Sequence, residues 1–220
     1  MTKNKKQHNS KNNQPPLPAG NFSAWLQHAR SALVTDCGTD VACGECNACC
    51  RSSYFIHIRP EDKQAIARIP RELLFPAPGL PKGNYVLGYD ETGRCPMLID
   101  GQCSIYEARP TTCRNYDCRI FPAAGIGPGD DKKERIAQQI KRWQFSYSTT
   151  LDRDEHLAVQ AAAKFLQEKA KLFPTGFIPA NNTQLAILAI KVYEVFIGED
   201  WRGRVDEKIV KSVIEANRRF

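Results

Sequence analysis

The clustering of cysteines constrains this chain more than any other feature. Nine cysteines occur among 220 residues, and all of them lie between Cys37 and Cys118. Disulfides that cross-link a whole scaffold would be spread along it, and the N-terminal residues lack the apolar segment of a secretory signal. We therefore expect a cytoplasmic protein in which the cysteines act as metal ligands or catalysts, because disulfides are rare in that reducing compartment.

The densest group contains four cysteines, Cys43, Cys46, Cys49 and Cys50. Two-residue gaps let successive thiolates converge on one centre, and soft, anionic thiolates suit zinc and iron–sulfur clusters alike. The first three match the C-x2-C-x2-C run of bacterial ferredoxins, although the local fourth cysteine of that run is missing. Side chains of adjacent cysteines diverge by about 100° on a helix. We therefore expect Cys49 and Cys50 to serve different centres, or one of them to be structural.

Four more cysteines follow at wider spacing: Cys95, Cys103, Cys113 and Cys118. The predicted metal ligands are these four and the four of the dense group. Eight thiolates could form two four-cysteine sites, or one site surrounded by outer or redox cysteines. Cys37 is interpreted as a structural or incidental thiol.

Three separated blocks carry a family resemblance: Cys43–Cys50, Cys95–Leu98 and Cys103–Arg114. In order and spacing they resemble the CxxCxxCC family of YkgJ-like, zinc- or iron-chelating cysteine-cluster proteins. The resemblance spans roughly residues 43–125, and it implies cysteine-bound zinc or iron in a small, irregular α+β domain. It implies no defined reaction. The flagellin lysine methylases resemble the family distantly through a similar cysteine core that is thought to hold an iron–sulfur cluster.

Three functions remain open at this stage. The first is a metal-binding protein that holds an iron–sulfur cluster (4Fe–4S) or a zinc or iron ion. The second is an iron–sulfur-dependent group-transfer enzyme of the methylase type, and the third is an interaction module with purely structural zinc. The sequence contains no Ser-His-Asp order and no HExxH motif, so whether the protein is an enzyme is undetermined, as is any protein partner.

The distribution of charge and of apolar residues bears on two further classes of partner, nucleic acids and membranes. Lys3, Lys5, Lys6 and Lys11 contribute four of the seven net positive charges, and the remainder lacks basic stripes interleaved with aromatic residues. This distribution argues against a nucleic-acid partner. No apolar run approaches the roughly 18 residues that span a bilayer, so we expect no membrane association.

The fold class expected is α+β, with an irregular cysteine-rich region followed by a helical C-terminal half. Residues 1–20 should form a disordered basic tail, residues 21–129 the metal-binding domain and residues 130–220 a helical region packed on it. The elements predicted are helices over 21–36, 60–69, 131–146, 152–173, 183–197 and 205–217, a strand over 54–58, and a hairpin of 85–89 with 94–99 followed by 102–106. His57 is expected to be hydrogen-bonded and His156 to be solvated, so neither is a predicted ligand.

Overall fold

The protein is described here from a computed structural model, which covers residues 15–35, 38–39, 41, 45–129 and 133–220. Helices dominate the C-terminal half, and small sheets occupy the N-terminal half, which confirms the α+β class. The strands are β1 (Leu17–Asn21), β2 (Ile56–Ile58), β3 (Phe75–Pro76), β4 (Tyr85–Leu87), β5 (Leu98–Ile99), β6 (Gln102–Cys103) and β7 (Trp143–Ser146). The helices are α1 (Phe22–Thr35), α2 (Lys63–Arg68), α3 (Thr111–Arg114), α4 (Ile120–Ala124), α5 (Glu134–Ile140), α6 (Thr150–Glu168), α7 (Asn182–Val192) and α8 (Asp206–Asn217).

Two of the C-terminal helices, α6 and α7, begin at side chains that satisfy their first backbone N–H groups. At the start of α6, the Thr149 hydroxyl accepts from the N–H of Asp152, whose carboxylate accepts from the N–H of Thr149 in return. At the start of α7, the Asn181 side chain accepts from the N–H of Gln184. Such capping is worth about 1 kcal/mol per helix. The three C-terminal helices predicted from the sequence are present, although the second ends early in a 3₁₀ turn at Tyr193–Phe196.

One large hydrophobic cluster, called the helical core below, joins α1 and α4 to the C-terminal helices α6, α7 and α8. Leu166 and Val213 are fully buried in it, as are Phe22 and Phe121 from the N-terminal half. The helical region therefore shares its core with α1 and α4, which precede residue 130.

A second, smaller cluster lies under the cysteine region. Its buried members, called the sheet core below, are Ile58, Ala65, Ile69, Leu74, Leu87, Met97 and Ile105. The antiparallel sheet above it has the strand order β2-β4-β3, and a separate hairpin joins β5 to β6. The predicted hairpin of residues 85–89 with 94–99 is therefore wrong, because β4 pairs with β2 and β3 instead.

The β5–β6 hairpin turns at Asp100 and Gly101, as the Asp-Gly signal predicts. Both residues have positive φ, 48° and 81°, and glycine adopts such a conformation without a steric cost. Leu98 is paired with Cys103 across this hairpin, so the turn determines where Cys103 lies.

The parallel pairing of β1 with β7 was not predicted. Residues 17–20 belong to β1 rather than to the expected tail, and residues 1–14 lie outside the described part of the chain. The predicted helix over 131–146 is also wrong in its second half, where the chain leaves α5 and extends into β7. No helix in the described ranges is long and apolar enough to cross a bilayer.

Candidate metal centre

A cavity of about 690 Å³ lies between the two cores and is lined by every cysteine that the structure describes. These are Cys46, Cys49, Cys50, Cys95, Cys103, Cys113 and Cys118, and all are thiols rather than disulfides. Cys118 is buried and the other six are half-buried. The remaining predicted ligand, Cys43, and the unassigned Cys37 lie outside the described residues. The structure thus brings seven of the eight predicted ligands to one cavity.

A short 3₁₀ turn over Cys49–Arg51 presents the adjacent pair of cysteines. The preceding Ala48 is buried in the helical core, and its carbonyl oxygen accepts from the Ser52 hydroxyl at 2.7 Å. Successive side chains on a 3₁₀ turn project about 120° apart, since it has 3.0 residues per turn. Cys49 and Cys50 therefore leave the backbone in different directions, as expected from their adjacency.

Two hydrogen bonds attach the β5–β6 hairpin to the loop of the first cysteine group. The N–H of Cys95 donates to the carbonyl oxygen of Cys50 at 2.7 Å, and the Asn47 amide donates to the carbonyl oxygen of Gly101 at 3.0 Å. Cys95 and Cys103 flank the hairpin and pack against the sheet core. The two bonds join residues that are 45 and 54 positions apart in sequence and hold them at one wall of the cavity.

The helix α3 carries Cys113 and is anchored at its first turn. Asp62 accepts from both the N–H and the hydroxyl of Thr111, at 2.8 and 2.6 Å, while Thr112 donates to the carbonyl oxygen of His57 at 2.6 Å. Pro110 immediately precedes this helix, where its missing N–H is of no consequence. These contacts attach α3 to β2 and α2, so that Cys113 faces the cavity.

A buried ion pair holds the turn that contains Cys118. Asp117 is 3% exposed and is bonded by the guanidinium of Arg119 at 2.8 Å and by the indole N–H of Trp25 at 2.9 Å. Both partners hold the Asp117 carboxylate in a structural role within this turn. The turn is consequently attached to α1.

Burial and the neighbouring thiols oppose ionisation of Cys113. Desolvation raises its pKa to about 12, and negative charge on Cys50, Cys95 and Cys103 acts in the same direction, while Arg109 acts against it. Burial also raises the pKa of Cys95. A cation in the cavity would reverse this balance, because its positive charge favours deprotonated thiols.

The two arginines of the third motif block, Arg109 and Arg114, donate hydrogen bonds to backbone carbonyl oxygens close to Cys113. Arg114 donates to the carbonyl oxygens of Arg109 and Glu107, at 3.2 and 2.7 Å. Arg109 donates to the carbonyl oxygen of Tyr106 and covers its ring, with the guanidinium carbon 3.9 Å from the ring centroid. Arg109 therefore combines a positive charge near Cys113 with a structural contact.

Aromatic residues also line the cavity, among them Tyr54, Tyr116 and Trp143. The indole N–H of Trp143 donates to the sulfur of Cys118 at 3.1 Å. The hydroxyls of Tyr54 and Tyr116 lie 3.3 Å apart, and burial raises the pKa of Tyr116, with the charges of Cys49 and Cys118 adding to the effect. Trp143 lay in a segment predicted to be helical, so only the β1–β7 pairing reveals its position.

The thiols of the cavity are not arranged as a finished coordination sphere. Within the described ranges, no group of three or more His, Cys, Asp or Glu side chains could hold a metal ion as placed. The chemistry of the donor set nevertheless fits zinc or an iron–sulfur cluster, since buried and half-buried thiols from five segments line one space. Binding would draw these side chains inward, as expected where metal ligation and folding are coupled.

The two histidines considered from the sequence lie away from the cavity lining. His57 is within 2.9 Å of the Asn84 amide oxygen, consistent with the expected hydrogen-bonded residue. His156, expected to be solvated, is half-buried: it stacks on Phe22 at a ring separation of 4.2 Å and lies 2.7 Å from the Tyr147 hydroxyl. That expectation is wrong because Phe22 of α1 and Phe145 of β7 pack against the imidazole in the second turn of α6.

The fold and the cavity together define a class, an α+β protein with a cavity of cysteine thiols suited to soft metals. Residues 42–143, somewhat under half of the chain, match the CxxCxxCC family, described as a "putative zinc- or iron-chelating domain". This match confirms the resemblance seen in the sequence and supports metal binding in general. Neither the curated proteins nor the solved structures gave a significant match to the chain.

Proposed function

We propose that this is a metal-binding protein whose cysteine thiolates hold an iron–sulfur cluster or a zinc or iron ion. One observation carries the proposal: all seven described cysteines, drawn from residues 46 to 118, line a single cavity. Buried thiols with no metal would need no such convergence. The proposed ligands are these seven and Cys43, which belongs to the same closely spaced group.

An iron–sulfur cluster is favoured over zinc by the spacing of Cys43, Cys46 and Cys49, which is that of the ferredoxin run. The ligands must stay reduced to bind either occupant, so the cytoplasm is the compartment we propose.

The experiment is anaerobic purification of the full chain, followed by analysis for iron, acid-labile sulfide and zinc. A brown protein with iron and sulfide in equal amounts supports the cluster, and a colourless protein with stoichiometric zinc supports a zinc site. A protein with substoichiometric traces of both metals would contradict the proposal.

Two serine variants, one at a proposed ligand and one at a cysteine outside the proposed set, provide a matched comparison. Cys46→Ser removes a thiol that lines the cavity and should lower the bound metal, whereas Cys37→Ser, outside the proposed set, should leave the metal content unchanged. Wild-type metal content in the Cys46→Ser variant would count against the ligand assignment.

The size of the cavity favours a second candidate function, iron–sulfur-dependent group transfer. A volume of about 690 Å³ is within the range of small-molecule sites, and Met97, Phe55 and Tyr54 add an apolar lining. Saturable binding of S-adenosylmethionine to the metal-loaded protein would support this candidate, and its absence at millimolar concentration would contradict it.

A further inference from the structure

One wall of the cavity carries no cysteine. It is formed by α5 and the start of β7, which contribute Ile136, Gln139 and Trp143 to the lining. Ile136 and Gln139 are three residues apart, so they lie on one face of α5, and Gln139 is only 7% exposed. Buried polar side-chain atoms usually have a hydrogen-bond partner, so the partners of this amide indicate what the wall is built for.

Arg142 fixes the orientation of the Gln139 amide. Its guanidinium donates to Oε1 of Gln139 at 3.1 Å. Arg142 is itself attached to the N-terminal strand, since it donates to the carbonyl oxygen of Pro15 at 3.0 Å and its own carbonyl oxygen accepts from the N–H of Leu17 at 2.7 Å. Because arginine can only donate, the amide oxygen must be the atom that faces Arg142, and the NH₂ group points elsewhere.

The nitrogen of this amide is the part that the fold leaves unused. Within the described residues, Nε2 of Gln139 donates to no acceptor and to no cysteine sulfur, whereas the neighbouring Trp143 indole reaches the sulfur of Cys118 at 3.1 Å. The nitrogen keeps accessible surface, and Gln139 is one of the residues that line the cavity. Its two N–H groups are therefore available to an acceptor within the cavity.

The remaining lining limits the chemistry of such an acceptor. The sheet-core side chains that line the cavity are apolar: Leu87, Met97 and Ile105. Among the described lining residues the charged ones are Glu45 and Arg109, and the Arg109 guanidinium covers the ring of Tyr106 and donates to its carbonyl oxygen. Thiolates that bind a metal are anionic and would oppose a ligand of the same sign. The lining therefore suits a neutral molecule.

The cavity is also larger than a metal centre needs. Metal–sulfur bonds of about 2.3 Å keep a thiolate-bound centre compact. The volume of about 690 Å³ is instead within the range of small-molecule sites. Phe55 borders the cavity although it is 67% exposed, and its ring lies 4.9 Å from that of Tyr89. Aromatic rings thus stand where the cavity meets the solvent.

We propose that the cavity binds a neutral organic molecule beside the metal, with an apolar, aromatic body against the sheet-core side chains and a carbonyl oxygen that accepts from the Gln139 amide. The proposal rests on the proposed function, because the metal centre shares this cavity, and it deepens that function by assigning a class of ligand. A carbonyl oxygen accepts hydrogen bonds without bringing a charge. A site of this kind rejects analogues that lack the acceptor, since they leave its buried N–H groups unpaired.

The test compares three probes, benzamide, benzoate and toluene, on the metal-loaded full chain by ligand-observed NMR titration. We expect saturable binding of benzamide at millimolar concentration, about tenfold tighter than that of toluene or benzoate. Equal affinities, or no binding of benzamide, would overturn the inference. The metal content of the same samples is measured separately, so stoichiometric metal without benzamide binding leaves the proposed function intact.

Two leucine variants on α5 locate the binding. Gln139→Leu should weaken benzamide binding about tenfold while leaving toluene binding and metal content unchanged. The control is Gln138→Leu, because Gln138 is exposed and donates to Glu134 at 3.1 Å, and it should bind as the wild type does. A loss of metal with unchanged benzamide affinity in Gln139→Leu would show that the amide serves the metal centre and would overturn the inference. Should Gln139→Leu fail to fold, the wild-type preference for benzamide over the other two probes still decides.

Discussion

Trp143 donates its indole N–H to the sulfur of Cys118 at 3.1 Å, and this contact links β7 to the wall of the cavity. Because β7 is paired in parallel with β1, the N-terminal strand supports a proposed ligand that lies about 100 residues further along the chain. Hydrogen bonds of this kind orient metal ligands and tune the charge on their sulfur atoms.

Replacing Trp143 by Phe should weaken metal binding without abolishing it. The ring volume is largely retained, but the donor to Cys118 is lost, and the loss of such an outer partner typically lowers metal affinity 10–100-fold. Competition with a chelator measures the change. The matched control is Trp201→Phe, since Trp201 packs on Phe196 outside the cavity lining and should have no effect. Equal affinities for all three proteins would contradict the role assigned to this hydrogen bond.

Replacing Asp117 by Ala should destabilise the fold. It removes a carboxylate that is 3% exposed, so the indole N–H of Trp25 loses its acceptor and the half-buried guanidinium of Arg119 loses its counter-charge while keeping its bond to the carbonyl oxygen of Ala19. Breaking a buried ion pair in this way costs about 3–5 kcal/mol of unfolding free energy, measurable by urea denaturation. Asp154→Ala, on the exposed face of α6, serves as the control and should change stability by less than about 0.5 kcal/mol. A loss below about 1 kcal/mol at Asp117 would show that the pair is not structural.

The stability contributed by neutral His156 should decrease at acidic pH. Burial against Phe22 lowers the pKa of His156 below its usual value of 6.5, so the unfolded chain takes up its proton first as the pH falls. The contribution is therefore present above about pH 6.5 and is lost as the pH drops from there towards the lowered folded pKa.

The measurement is the difference in unfolding free energy between the wild type and His156→Gln at pH 7.5 and at pH 5.5. We expect the difference to shrink at the lower pH. Both proteins carry the same metal ligands, so the effect of acid on metal binding cancels in the comparison. A difference that stays constant between the two pH values would show that His156 does not titrate differently in the folded state.

Removing the metal should loosen the sheet core more than the helical core. The sheet core has only seven buried side chains, and strands of two or three residues support it, so ligation would supply much of its stability. The helical core is several times larger and depends on packing between long helices. Hydrogen exchange after chelation should therefore rise in residues 56–108 and stay low in residues 150–192. A uniform rise, or none in either segment, would contradict this division of stability.

Local signals explain which parts of the fold could be predicted from the sequence. The residues that cap α6 and α7, and the Asp100-Gly101 turn, act within a few positions of the elements they define. The predicted hairpin at residues 85–99 failed because β4 is paired with the preceding strands β2 and β3 rather than with the segment that follows it, and the alternation of residues does not say which neighbour a strand takes. The β1–β7 pairing was missed for the same reason, since it joins segments more than 120 residues apart.

The candidate site likewise contains some residues that the sequence predicts and others that it does not. Spacing identified the cysteines that line the cavity, because thiols at regular short intervals have few other uses in a reducing compartment. Spacing could not identify Trp143 or the Tyr54–Tyr116 pair, since an aromatic residue becomes a neighbour of a sulfur only through tertiary packing. Cysteine spacing also could not show which thiols lie on the same side of the cavity, because that depends on how the helical core and the sheet core pack together.

The most direct test of the account is X-ray absorption at the metal edge of the anaerobically purified full chain. We predict a first coordination shell composed of four sulfur atoms at about 2.3 Å, as thiolate ligation of zinc or of an iron–sulfur cluster requires. A first shell dominated by oxygen or nitrogen would contradict the central claim that the converging cysteines bind the metal.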